Sequence, residues 1–267
     1  MFINSIASKD RSIMFQYKRL ISNLKTNDLK LYDFVNEYFY QYCKFNKVSV
    51  DNVIKIRKKF ANNYIYNLKR FEKFSFYPKK KNKFSLSRVE YDVVLLLSFL
   101  IEKHRFEIIK LFVKEKYKGK ILIIGSGPSL ELALLKFFLN IKNKIEAYDT
   151  SFNSFVKKKF KNEYKKKKYI QNHKKYDVIV LIEFLEHLSK PYEFLFKLKK
   201  SLFKNGKVIL TTAINIPQFD HLYNFKKNEI IEKVKKMGFK KRKIKYIEHK
   251  MFISNVKSAN EYLVLNT

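Results

Sequence analysis

Apolar residues recur at helical spacing from the start of the chain to about Lys118, whereas from Gly119 onward short β-branched runs alternate with helical stretches. Residues 28–43 place Leu31, Tyr32, Val35, Tyr38, Phe39 and Tyr42 at near-helical intervals, which predicts a helix with its aromatic weight on one side. Asp51 is positioned to cap a second helix that runs through Leu68. The basic loop 78–83 interrupts, and Ser85 or Ser87 then caps a helix from Arg88 to about Lys114. Between Val93 and Ile101 that helix is apolar nearly all round, so it should be buried as a spine. Gly119 should stop it.

The second half reads as repeated strand and helix units. Strand runs at 121–125, 145–149, 176–183 and 207–213 are separated by helical stretches at 129–140, 152–160 and 191–203, with a weak strand at 169–171 and a turn at Asn205-Gly206. A further helix covers 227–237. This alternation specifies a mainly parallel sheet with helices on both faces. The last two strand runs, 243–248 and 261–265, are joined by a linker too short for a crossover helix and should pair antiparallel. The expected organisation is an all-helical domain, residues 1–118, followed by an α/β domain, residues 119–267.

With 267 residues, 46% of them hydrophobic, the chain can bury a core, which excludes general disorder. The apolar runs fall short of the roughly 20 residues that cross a bilayer, so no membrane partner is expected. Charges at Lys9, Asp10 and Arg11 sit where a secretory leader needs its apolar stretch, and the lone Cys43 can form no internal disulfide. A reducing, cytoplasmic setting is expected. The 58 Lys+Arg against 24 Asp+Glu give a net charge of +34, which attracts phosphates. Yet Lys, Asn, Ile, Phe and Tyr abound while Trp is absent and Arg is scarce, the set that an AT-rich genome encodes. Nucleic acid is therefore not the favoured partner; the aromatic helices can equally pack a homodimer.

In an open parallel sheet, ligands gather at the carboxyl ends of the strands where the winding reverses. The first strand run ends in Gly125-Ser126-Gly127-Pro128-Ser129, which opens into a helix. Its glycines admit close backbone approach, and the helix start offers free N–H groups to an anionic group. Asp149 ends the second strand run and can accept hydrogen bonds from both hydroxyls of a ribose. Turn and acid together point to a nucleoside cofactor. Residues 176–212 resemble the second half of class I S-adenosylmethionine-dependent methyltransferases, in which E-x-x-E-H follows the fourth strand and L-x-x-x-G precedes the fifth. The matching residues are Glu183, Glu186, His187, Leu202 and Gly206. Residues 121–127 resemble that family's first motif, Asp149 its ribose-binding acid, and 215–225 its loop after the fifth strand, with His221 before an aromatic pair. The resemblance covers about 119–267 and implies a Rossmann-like seven-stranded, mostly parallel sheet with its last strand reversed, and S-adenosylmethionine as cofactor. Two departures stand out: Ser129 replaces a third glycine while supplying a hydroxyl, and the third-strand region lacks the acid that contacts the adenine amino group, with Asn172 as its replacement.

The cofactor-binding candidates are thus Gly125, Ser126, Gly127, Ser129, Asp149, Asn172 and Glu183. His221, in a loop expected to overhang the acceptor, is the leading base or orienting group. His104, beside Arg105 and Glu107, is the second catalytic candidate and could help to hold an anionic acceptor. His187 is expected to pack locally. No metal is assigned, because His221, His249 and His104 show no close ligand spacing. The lysine clusters 79–81, 157–159 and 165–168 read as solvated faces. The function expected is methyl transfer to an oxygen or nitrogen of a small metabolite, anionic acceptors included, with the helical domain as lid. An RNA methyltransferase is the competing reading, and a non-catalytic binding protein of the same fold a third.

Overall fold

A computed structural model describes residues 1–75, 84–165, 174–249 and 254–267. Capping residues and apolar stripes agree along most of the first half. Helices α1 (Phe2–Ala7) and α2 (Arg11–Ile21) meet at Asp10, whose carboxylate accepts from the N–H groups of Ser12 at 3.0 Å and Ile13 at 3.1 Å. Helix α3 (Thr26–Phe45) buries Tyr32, Tyr38, Phe39 and Tyr42, the aromatic side that its spacing predicts. Helix α4 (Val50–Phe74) is capped by Ser49, not Asp51: the Ser49 hydroxyl accepts from Asn52 N–H at 3.2 Å. Helix α5 (Arg88–Ile101) starts in a capping box, with Glu90 N–H donating to Ser87 Oγ and Ser87 N–H donating to Glu90 Oε2.

The expected continuous spine breaks at Glu102, which is extended (φ −107°, ψ 116°) and separates α5 from α6 (Lys103–Val113). Neither Gly nor Pro marks the break. A straight continuation would carry Glu102, Lys103, His104 and Arg105 along the path of the apolar spine; the break turns all four toward a central cavity. Helix α6 then stops at Val113, short of Gly119, because the Tyr117 hydroxyl donates to the Phe112 carbonyl at 2.7 Å and takes an acceptor that another turn would have used.

The sheet is built from β1 (Ile121–Ile124), β2 (Ile145–Tyr148), β3 (Tyr164–Lys165), β4 (Tyr176–Leu181), β5 (Leu202–Ile214), β6 (Lys240–His249) and β7 (Ser258–Asn266), in the order β3-β2-β1-β4-β5-β7-β6. Six strands are substantial, and β3 is a two-residue edge. The strands from β1 to β5 pair in parallel, while β7 is antiparallel to both β5 and β6, the reversed last strand that the resemblance implied. The stretch 169–171, expected as the third strand, lies outside the described residues. Connecting helices are α7 (Leu130–Ala133, continued as a π-turn to Phe138), α8 (Ser154–Lys159), α9 (Pro191–Lys199) and α10 (Glu229–Lys236). Helix α9 ends before Leu202 because that residue already pairs with Tyr176; Lys207 pairs with Val178, so the Asn205-Gly206 turn is absorbed as a bulge within β5.

Strand residues alternate between two apolar layers, as a sheet covered on both faces requires. Ile121, Ile123, Val178 and Val180 join α1–α8 in one continuous core. Leu122, Ile124, Ile179 and Leu181 face α9 and α10 in the other. Among the described residues, no helix is long and apolar enough to cross a membrane.

Candidate active site

The order of the sheet reverses between β1 and β4, and the cavity opens there, at the strands' carboxyl ends. It measures about 850 Å³. Its floor is the turn after β1. Gly125 holds φ at +70°, and a Cβ there would lie 2.2 Å from the Phe184 ring, so only glycine fits. Gly127 is also left-handed, at +50°, but a Cβ there would meet nothing nearer than Leu95 Cδ1 at 3.6 Å. The first glycine serves packing, and the second leaves bare backbone beside the cavity.

Two of the expected floor residues part company. Ser126 and Gly127 line the cavity. Ser129 does not: it is fully buried at φ +60°, its hydroxyl lies 3.2 Å from that of Ser126, and it caps no helix N–H. The left-handed backbone turns its side chain into the protein, which corrects its assignment as a ligand-facing hydroxyl. Asn172 lies outside the described residues.

Asp149 stands at the end of β2 and lines the cavity as expected. Its Oδ2 accepts from Gly127 N–H at 2.8 Å, tying the second strand end to the glycine turn. Its Oδ1 accepts from Ser151 N–H at 3.2 Å and from Arg88 Nη1 at 3.1 Å. Arg88, at the start of α5, also pairs with the buried Asp92 at 2.9 Å. Burial raises Asp92 to about 6 against the opposing pull of Arg88.

Glu183, just beyond β4, has φ +50° and does reach the cavity, but its carboxylate is already engaged by Arg105 and by Asn260. Arg105, delivered by the break at Glu102, is buried with its guanidinium over the Phe99 ring. Around it gather more carboxylates than it can pair. Burial pushes Glu131 up to about 7, pushes Glu102 above its ordinary range, and pushes Glu186 well above it, with Glu183 adding repulsion. Burial therefore favours the neutral form of these three acids.

The four histidines among the described residues form two pairs. His104 stacks on His249 with ring centroids 3.5 Å apart, and burial keeps it neutral by pushing its pKa well below the usual value. His221 lies edge-on to His187 with centroids 5.0 Å apart. It is buried, its Nδ1 is 2.8 Å from the Ile216 carbonyl, and burial lowers it to about 3. His187 Nδ1 contacts the Asp220 carbonyl at 3.2 Å, and Asp220 is held by Tyr91 and Gln218, both at 2.9 Å. All four histidines line the cavity.

A family profile described as a methyltransferase domain matches residues 96–248, more than half of the chain, and takes in the glycine turn, Asp149, Glu183, His104 and the His187–His221 pair. The chain belongs to the class I S-adenosylmethionine-dependent methyltransferases. Among solved structures, the methyltransferase is similar to a protein of Nostoc punctiforme assigned as an O-methyltransferase, at 16% identity and a TM-score of 0.52, over 83% of this chain and 74% of the other. It is also similar to phosphoethanolamine N-methyltransferase 2 of Haemonchus contortus, at 13% identity and a TM-score of 0.50, over 68% of this chain and 60% of the other. A search of curated proteins finds no match.

The match begins inside α5, so the rest of the cavity wall precedes it. Phe15 and Arg19 on α2, and Arg57, Phe60 and Tyr64 on α4, extend the cavity of the methyltransferase away from the sheet. Sequence reasoning missed these residues, and it missed Glu131 and Asp220. Glu131 had a visible signal, an acid inside the apolar stretch Leu130–Ala133. Arg57 had none, one basic residue among many on a charged helix.

Proposed function

We propose that the methyltransferase moves a methyl group from S-adenosylmethionine to an oxygen or nitrogen of a small anionic metabolite, and that residues 1–118 wall the acceptor's side of the cavity. The observation that carries this is the continuity of the cavity from the Gly127–Asp149 crevice to Arg19 and Arg57 on the helices. Its size and lining suit a cofactor and a small acceptor together.

The residues present fit the cofactor. The open face of Gly127 admits close backbone approach, Asp149 offers carboxylate oxygens at the strand end, and the buried acids near Arg105 can ionise against a ligand bearing a sulfonium and an ammonium group. Gly125, Ser126 and Gly127 would hold it through backbone, with Asp149 on the ribose in competition with Arg88. Glu183 would act by fixing Arg105 among the acids. When bound, the cofactor supplies a methyl carbon already activated by its positive sulfur. The protein's part is to align the acceptor and exclude water. His221 is too weak a base to hold a proton at neutral pH, so its part is to orient, with its ring held by the contact of Nδ1 with the Ile216 carbonyl. His104, stacked and neutral, serves as wall.

Calorimetry with S-adenosylhomocysteine and transfer assays on small carboxylates, small phosphates and total RNA test this reading. Arg57→Ala should raise the acceptor KM by about 10- to 100-fold, the value of one charge-assisted hydrogen bond, and leave S-adenosylhomocysteine affinity unchanged. Faster transfer to RNA than to any small acceptor would overturn it.

A further inference from the structure

Glu186 and His187 follow β4 in the single turn Leu185–His187, and His221 stands in the loop after β5. One ligand atom from each lies within 4.8 Å of the other two. In tetrahedral coordination with bonds of about 2.1 Å, neighbouring ligand atoms stand about 3.4 Å apart, so a side-chain movement of roughly 1 Å closes the set. We propose that Glu186, His187 and His221 form a binding site for one divalent transition-metal cation.

The second observation is Glu186 itself. Its side chain is fully buried, and among the described residues neither carboxylate oxygen has a hydrogen-bond partner. The adjacent guanidinium, Arg105, is committed to Glu183. A buried carboxyl group whose oxygens make no hydrogen bond is costly, and a bound cation would supply the missing partner. The histidines carry the outer support that metal ligands need. The contacts of His221 Nδ1 with the Ile216 carbonyl and of His187 Nδ1 with the Asp220 carbonyl hold both rings in place. Tyr91 and Gln218 in turn hold Asp220.

Two imidazoles with one carboxylate favour zinc, cobalt, iron or manganese over the oxygen-seeking magnesium and calcium. Three protein ligands leave coordination open, and both histidines line the cavity. There the cation would hold an acceptor through oxygen and ease loss of a hydroxyl proton. That use rests on the acceptor reading above, whereas the site itself does not. It reassigns His221 from direct acceptor contact, and His187 from local packing, to metal ligation.

The test uses the full chain, stripped with a chelator and titrated with Co2+ and with Zn2+ by calorimetry and visible absorption. One cation per chain should bind with a cobalt spectrum typical of nitrogen and oxygen ligands, and melting temperature should rise. Glu186→Gln and His221→Ala should each lose more than the roughly 100-fold that removing an outer-shell partner costs, while His249→Ala retains wild-type affinity. Circular dichroism of the variants checks folding, and either variant suffices if the other fails to fold. S-adenosylhomocysteine binding to the stripped protein separates failure of this site from failure of the methyltransferase reading. The proposal is overturned if the wild-type chain takes up neither cation, or if a folded Glu186→Gln binds cobalt with unchanged affinity and spectrum.

Discussion

Replacing Asp149 by alanine probes the pocket at the point where the two halves of the chain meet. In the wild-type protein the carboxylate accepts from Gly127 and Ser151 backbone N–H groups and pairs with Arg88. Two charge-assisted hydrogen bonds to a ribose diol are worth about 3–6 kcal/mol in total. Against that stands the contact with Arg88, a partly exposed pair worth about 1 kcal/mol, which the ribose must share or displace. The net of about 2–5 kcal/mol corresponds to roughly 30- to 3,000-fold weaker binding of S-adenosylhomocysteine. Arg88 keeps its partner Asp92, so the fold should lose only about 1–2 kcal/mol through the two orphaned N–H groups. Calorimetry reads the affinity and thermal melting the stability, with His221→Ala as comparator, for which affinity should stay within about threefold on the same scale. An Asp149→Ala chain that binds as the wild type does, or equal losses in both variants, refutes the assignment.

Gly127→Ala adds a methyl group that meets no protein atom closer than 3.6 Å but forces alanine to φ +50°. It should cost about 1–2 kcal/mol in urea unfolding while reducing S-adenosylhomocysteine affinity disproportionately, and unchanged affinity would place the cofactor elsewhere. His221 titrates near 6.5 when unfolded and near 3 when folded, so its contribution to stability is full above pH 6.5 and is lost as the pH falls toward 3. Asp92, raised to about 6, works the opposite way, stabilising below 3.8 and fading as pH rises through 6, so the wild-type curve alone mixes the two. Urea unfolding of His221→Gln beside wild type, in chelator, should therefore show the difference shrinking by up to about 1.4 kcal/mol per pH unit between pH 6 and 4.

The sheet was legible because its strands are buried on both faces and read as continuous apolar runs, and the floor of the cavity because glycine and a strand-end acid occupy positions that few other residues can. Gly125 and Asp149 stand where the pattern put them. The side chain of Ser129 was not legible, since its direction depends on a left-handed backbone that its own chemistry does not demand. The pairing of His187 with His221 joins loops after two different strands, and Arg88 reaches an acid 61 residues away. Such contacts are set by how helices and sheet pack, which no local spacing encodes. The break at Glu102 was hidden for a related reason: an apolar run followed by polar residues looks the same whether the helix continues or turns.

The helical segment and the sheet share one core, and the break at Glu102 decides which charges meet in the crevice between them. Were α5 and α6 a single rod, Arg105 would lie along the path of the spine, and Glu183, Glu131, Glu186 and Glu102 would share the crevice without a cation. Like charges that close raise one another's pKa and take up protons. By ending α5 at Ile101 in extended chain, the protein sets a guanidinium, stacked on Phe99, among these acids and pairs it with Glu183. The remaining acids, pushed toward their neutral forms by burial, can ionise when a cationic ligand enters. Arg88, at the other end of the same helix, does the corresponding work for Asp149. Arg88 at the start of α5 and Arg105 in α6, just past the break, thus set one cation at each end of the crevice, and any movement of the helical segment relative to the sheet changes the charge that a bound cofactor meets.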